Sequence, residues 1–222
     1  MVALSKIKYD WEGEYDVSSL ADDNIDKLST SLIPNNSRVL ELGCSTGYLT
    51  RHLVKNKKCQ VVGVELNPAA ARKAKKYTTQ IIIGDLENPQ TWTKIQKAGK
   101  FDVVFGSAVI EHLTDPWRVL KKIYALLPIN GLLVLTMPNI AWWRCRLSLL
   151  LGKWDYQDYG TFDKTHNKFF TLFSMRHALQ DVGFKILVEK YDPAGGAKFL
   201  TPVLKLFPNA YAHQIAILAK KG

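Results

Sequence analysis

The chain has 222 residues, 47% hydrophobic and 23% charged, which supplies one large core and excludes a disordered or fibrous protein. Apolar stretches such as GLLVLTM and LSLLLG fall far short of the ~18 residues that span a bilayer, and MVALSKIKYDWEGEYD lacks the apolar centre of a secretory signal, so a non-exported, cytoplasmic protein is expected. The net charge of +10, from 30 Lys and Arg against 20 Asp and Glu, favours anionic partners, although KNKK (55–58) and RKAKK (72–76) also read as solvated helix ends and faces.

Residues 18–33 place Leu20, Ile25, Leu28, Leu32 and Ile33 at helical spacing before Pro34, so about 1–36 is expected to be a helical lead-in. RVLEL (38–42) reads as a buried strand, and GCSTG turns the chain into a helix from about Tyr48 to Asn56. QVVGVE (60–65) is a second strand. Asn67-Pro68 is a cap-plus-proline helix start, followed by strands at III (81–83) and FDVVFG (101–106). Asp115-Pro116 repeats the device for a helix to about Leu127, and GLLVLTM (131–137) is the fifth strand. A helix over Leu172–Val182 stops at Gly183, and FKILVEK (184–190) and AHQIAILAK (212–220) close the pattern. Apolar strands alternating with helices predict one α/β domain over 1–222 with a doubly wound, mostly parallel sheet. Ligands of such folds bind beyond the carboxyl ends of the strands. Three scattered cysteines, Cys44, Cys59 and Cys145, form no CxxC pair, so neither a disulfide framework nor a metal site is expected.

The turn after the first strand carries Glu41, Gly43, Ser45 and Gly47 at alternate positions. Glycine there lets a ligand lie against bare backbone at a helix N-terminus. A dinucleotide fold needs GxGxxG, which this turn does not spell. GxSxG also spells the nucleophile elbow of α/β-hydrolases, but only about 42 residues precede it, too few for the sheet that elbow sits in. A glycine turn serving tight packing alone also fits this loop.

The E-x-G-x-(G/S)-x-G pattern resembles the cofactor loop of class I S-adenosylmethionine-dependent methyltransferases, with Ser45 standing where the middle glycine is usual. The resemblance implies a Rossmann-like seven-stranded sheet with an antiparallel last strand, and S-adenosylmethionine as cofactor. It implies that Glu41, Gly43, Cys44, Ser45, Gly47 and Tyr48 form the cofactor loop. Glu65, beside Leu66, would take the ribose hydroxyls, since a carboxylate accepts two hydrogen bonds from a vicinal diol. Asp85, beside Leu86, would take the adenine amine. Ser107, in FDVVFGSAVIEHLTDP, would lie at the methionyl end. The match covers about residues 36–139 strongly.

Further on, the segment from Pro138 to Phe184, above all DKTHNKFFT, resembles a narrower bacterial branch that modifies sugars or polysaccharide intermediates. It implies a small sugar-type acceptor; the positive charge suits an anionic one and residues 141–154 a lipid-linked one, and about 139–171 is expected to be an acceptor or lid insertion. A sugar hydroxyl is weakly acidic and gains from a general base, worth ~10²–10⁴-fold. His166 is the first choice and His112 the second; His52, His177 and His213 are assigned to surface or packing. Residues 141–154 mix Trp142, Trp143, Leu147, Leu150 and Leu151 with Arg144, Arg146 and Lys153. That composition suits a lid helix packed on its own domain or, alternatively, peripheral contact with an anionic membrane. No specific nucleic-acid partner is expected. The alternatives are another acceptor (a quinone precursor, a carboxylate or RNA) and a non-catalytic S-adenosylmethionine-binding protein.

Overall fold

The computed structural model describes residues 15–194, 201–204 and 206–222; the first fourteen residues of the expected lead-in lie outside them. Seven strands, β1 (Arg38–Leu42), β2 (Gln60–Glu65), β3 (Gln80–Ile83), β4 (Val103–Ser107), β5 (Leu132–Pro138), β6 (Phe184–Asp192) and β7 (Gln214–Lys221), form one sheet in the order β3-β2-β1-β4-β5-β7-β6. The first five run parallel, with Val39 beside both Val61 and Val103. β7 slots antiparallel between β5 and β6. β1 connects towards β2 on one side, and the chain later returns to β4 on its other side. The strand order therefore reverses between β1 and β4, where such a sheet opens a crevice.

Both faces of the central strands are buried because side chains alternate across a sheet. Leu40, Leu42, Val62, Val64 and Val104 face one cluster, completed by α4 (Pro89–Lys97), α5 (Pro116–Leu126) and α7 (Leu172–Val182). Val39, Val61, Val103 and Phe105 face the other, with Val17, Ile33 and the Leu49 and Leu53 side chains of α2 (Tyr48–Lys57). Asn67, Asn88 and Asp115 each cap a helix with Pro next in line: α3 (Pro68–Ala74), α4 and α5. The Asn88-Pro89 start repeats the spelling at Asn67-Pro68, yet α4 was not among the expected elements, because its polar sequence buries only Thr91, Trp92 and Ile95.

The lead-in is not one helix. A 3-10 turn at Val17–Ser19 precedes α1 (Ile25–Ser31), since Asn24 caps the helix from within the polar run Asp22-Asp23-Asn24. Lys55 and Lys57 end α2, and Arg72 and Lys73 end α3, so these basic clusters sit where a helix C-terminus favours cations. Between β5 and α7, α6 (Trp143–Leu150) buries Cys145, and Trp142 is buried just ahead of it. Its leucines face outward: Leu147, Leu149 and Leu150, with Leu151 beyond, are exposed. Two short helices, α8 (Thr201–Leu204) and α9 (Pro208–Tyr211), precede β7. Among the described residues no helix is long and apolar enough to cross a membrane.

Candidate functional site

The glycine turn closes on β2. Gly43 and Cys44 both donate their N–H groups to the Val64 carbonyl, at 2.8 and 3.1 Å. Gly43, Ser45 and Gly47 all adopt positive φ, of 66°, 48° and 82°. Gly43 cannot be replaced without strain, because a Cβ there would meet Val109 Cγ2 at 2.7 Å. Ser45 holds the left-handed conformation without glycine's freedom, and Glu65 helps to hold it there. One Glu65 carboxylate oxygen accepts from Ser45 N and the other from Asn67 N, each at 2.8 Å. Glu65 thus ties the turn after β1 to the turn after β2.

Two cavities open at this end of the sheet. A trough of about 470 Å³ is lined by Glu65, Leu66, Asp85, Leu86 and Val109, with Gly43 and Ser45 at its floor. A second cavity of about 290 Å³ is lined by Tyr48, Ser107, Glu111, Tyr159, Thr161 and His166, among others. Gly43, Ser45, Ala108 and His112 belong to both, so the two chambers meet at the switch point. Asp85 is exposed, and its carboxylate accepts a local bond from Glu87 N at 2.8 Å.

Three residues of the expected cofactor loop line neither cavity. Strand alternation sends Glu41 to the face covered by α2, where it is 3% exposed and accepts from the Thr50 hydroxyl. Burial pushes its pKa up to about 8 despite that bond. Cys44 turns its thiol over Gly63, where an added Cβ would meet the sulfur at 2.8 Å. Gly47 is the left-handed cap of α2, packed on Ala74. These three shape the turn from behind.

Both histidines singled out in the sequence are brought together. A 3-10 turn at Ile110–His112 follows β4, and the 163–168 loop folds onto it. Asn167 N and Lys168 N donate to the Glu111 carbonyl at 2.8 and 3.0 Å, and the Asn167 side-chain amide donates to the His112 carbonyl at 2.7 Å. The imidazoles meet edge to face with centroids 4.7 Å apart. His112 Nδ1 lies 3.2 Å from the Thr165 carbonyl and His166 Nδ1 lies 3.1 Å from the Thr161 carbonyl.

Glu111 is the residue that sequence reasoning missed. Glu111 is 1% exposed and lines the second cavity, and neither carboxylate oxygen is hydrogen-bonded among the described residues. Burial, with Asp163 nearby, pushes its pKa up to about 8. The available signal was its place directly before His112, beyond the carboxyl end of a central strand. His213, assigned to packing, also lines this cavity. Burial first and Arg144 second lower its pKa to about 4, so its ring stays neutral.

A methyltransferase-domain family matches residues 14–189. Among curated proteins the chain is similar to a malonyl-[acyl-carrier protein] O-methyltransferase of Priestia megaterium, at 31% identity over 54% of this chain and 44% of that protein. It is also similar to a ubiquinone biosynthesis O-methyltransferase of Bradyrhizobium diazoefficiens, at 31% identity over 47% of this chain and 41% of that protein. The chain thus matches less than half the length of these two relatives. Among solved structures, an S-adenosylmethionine-dependent methyltransferase from Mesorhizobium loti shares the fold, with a TM-score of 0.63 at 15% identity over 93% of this chain and 100% of that one.

Proposed function

This chain belongs to the methyltransferase-domain family, and from that premise we propose that it transfers a methyl group from S-adenosylmethionine to an oxygen of a small acceptor. The observation that carries this reading is the meeting of the two cavities over Gly43, Ser45, Ala108 and His112. The trough takes the nucleoside: Glu65 accepts from the ribose hydroxyls, Asp85 from the adenine amine, and Leu66 and Leu86 flank the base. The methionyl end lies over the bare backbone of Gly43 and Ser45, towards Ser107 and Tyr48. The acceptor occupies the second cavity, against Glu111, His112 and His166.

The reaction asks little covalent chemistry of the protein. The sulfonium is its own electrophile, so the chain's task is to set an acceptor lone pair ~3–3.5 Å from the methyl carbon and in line with the C–S bond. A carboxylate acceptor would need no more. The convergence of one carboxyl and two imidazoles on the acceptor side favours a hydroxyl, which must shed its proton to become a strong nucleophile. A hydroxyl of a sugar or polysaccharide intermediate fits this chemistry, as does a phenolic oxygen. The two curated relatives are named for O-methylation in other settings, and neither name mentions a sugar. The outward leucines of α6, next to the exposed Arg144 and Arg146, suit an acceptor carried on a lipid with an anionic head.

The test is methyl transfer from radiolabelled S-adenosylmethionine to a panel of sugar hydroxyls, phenols and carboxylates, free and lipid-linked, alongside calorimetric titration with S-adenosylhomocysteine and NAD. Binding of S-adenosylhomocysteine with labelling confined to hydroxylated acceptors supports the reading. Binding with no transfer to any acceptor would favour a non-catalytic binding protein, and tight NAD binding without S-adenosylhomocysteine binding would remove the cofactor assignment altogether.

A further inference from the structure

We propose that Glu111, His112 and His166 form a binding site for one divalent transition-metal ion at the acceptor end of the cavity. One ligand-capable atom from each of the three lies within 4.8 Å of the other two. This inference deepens the methyl-transfer reading and rests on it for its chemistry, but not for its geometry. The sequence suggested no metal, because cysteine spacing carries no sign of a site made from a turn and a distant loop.

Three observations point to a cation. First, the Glu111 carboxylate is buried and, among the described residues, neither oxygen has a hydrogen-bond donor. Burying a carboxyl without partners costs several kcal/mol on typical scales, and a bound cation supplies the missing interaction. Second, both histidines are oriented as metal ligands are. Each sets Nδ1 against a backbone carbonyl, Thr165 for His112 and Thr161 for His166. A carbonyl only accepts, so Nδ1 carries the proton and the lone pair of the neutral ring sits on Nε2. Third, the loop behind them is itself braced. The Asp163 carboxylate, 0% exposed, accepts from the Thr165 hydroxyl at 2.7 Å and from Thr165 N at 2.8 Å. With its proton spent on Asp163, the Thr165 oxygen is turned as an acceptor to His112 Nδ1, 3.2 Å away.

Two imidazoles and one carboxylate on a cavity wall make a three-ligand set, which leaves coordination positions for a further ligand. Such sets suit Zn²⁺, Co²⁺, Mn²⁺ or Fe²⁺ rather than Mg²⁺, which prefers oxygen ligands. An open position there would take the acceptor's hydroxyl oxygen. Coordination lowers the pKa of a bound O–H strongly, as it does for metal-bound water. The proton leaves to solvent, the oxygen lone pair forms the O–CH₃ bond, and the C–S bond breaks with its electron pair passing to sulfur. The products are the methylated acceptor, neutral S-adenosylhomocysteine and one proton, so charge and atoms balance.

The test is calorimetric titration of chelator-stripped, full-length protein with Zn²⁺ and with Co²⁺, the latter also followed by its visible absorption. One equivalent should bind, with Mg²⁺ in excess failing to displace it. Glu111→Gln and His166→Asn should each weaken binding by at least ~10-fold, the scale on which metal sites respond even to altered hydrogen-bond partners of their ligands, while His177→Asn on α7 should leave it unchanged. Far-UV circular dichroism checks that each variant is folded. Absence of a stoichiometric site, binding unchanged in both Glu111→Gln and His166→Asn, or preference for Mg²⁺ would overturn the proposal. S-adenosylhomocysteine titration of the same stripped parent separates the two readings. Cofactor binding without metal binding removes only the metal site, whereas no cofactor binding removes the methyl-transfer reading.

Discussion

Replacing Glu65 with alanine tests the cofactor assignment through two quantities that move independently. Without ligand, the Glu65 carboxylate accepts from Ser45 N and Asn67 N at 2.8 Å each. Hydrogen bonds to a charged group contribute ~1.5–3 kcal/mol, but Glu65 is only half-buried and water reaches the vacated amides. Losing both bonds should therefore cost about 2 kcal/mol of stability. For a chain of this length that lowers Tm by ~4–8 °C. If the same carboxylate also accepts from both ribose hydroxyls, the variant loses those bonds too. A combined ~3 kcal/mol weakens cofactor binding by ~10²-fold. Asp85→Ala supplies the contrast: Asp85 is exposed, and its carboxylate accepts a local bond from Glu87 N. Its Tm should hold, within ~0.5 kcal/mol of stability, while one lost bond to adenine weakens binding by ~10-fold. Differential scanning fluorimetry and calorimetric titration with S-adenosylhomocysteine measure both quantities. Parent-like affinity in Glu65→Ala would refute the assignment even if Tm fell, because Glu65 would then only be bracing the turn.

Gly43→Ala should abolish measurable cofactor binding while preserving the far-UV circular dichroism, since the new Cβ sits 2.7 Å from Val109 Cγ2 at a φ of 66°; Gly152→Ala, also at positive φ but with nothing within 4 Å, should bind as the parent does. Glu41→Gln should change the pH dependence of stability. The folded protein holds the Glu41 proton up to about pH 8, whereas an unfolded chain releases it near ~4.3. Its contribution is therefore full at low pH and is lost as pH rises through that window, by a few kcal/mol at most on the scale of ~1.4 per pH unit. Denaturant midpoints from about pH 5 to about pH 8 should fall less in Glu41→Gln than in the parent, and Glu111, titrating in both, cancels; parallel profiles would contradict a buried neutral Glu41. Arg176→Ala should destabilise by about 1–2 kcal/mol, because its guanidinium bonds Glu189 through Nε at 2.7 Å and Nη2 at 2.6 Å and joins α7 to β6. The hydrogen bond from Arg176 holds the Glu189 carboxyl below its ordinary range, so this contribution is lost as pH falls through that depressed pKa; a stability difference that does not shrink in acid would contradict the pairing.

Local chemistry determined most of the frame from the sequence alone. β1 and β2 fall where the apolar runs RVLEL and QVVGVE lie, and α3, α5 and α7 start or stop at Asn67-Pro68, Asp115-Pro116 and Gly183. These signals are short-ranged: a strand buried on both faces needs a continuous apolar run, and a helix end needs a cap or a left-handed residue. The positive-φ turn at Gly43 and Gly47 was legible for the same reason, and so was the acid closing β2. Tertiary structure decided which of the turn's residues line a cavity. Glu41 and Tyr48 lie seven residues apart, yet strand alternation buries the first beneath α2, and the helix start turns the second into a cavity. It also decided the wall of the second cavity. Glu111 and His166 are 55 positions apart, and only the folding of the 163–168 loop onto the turn after β4 brings them together. No periodicity records a pairing between two irregular segments, because their contact depends on the whole sheet that places β4 and β5 side by side.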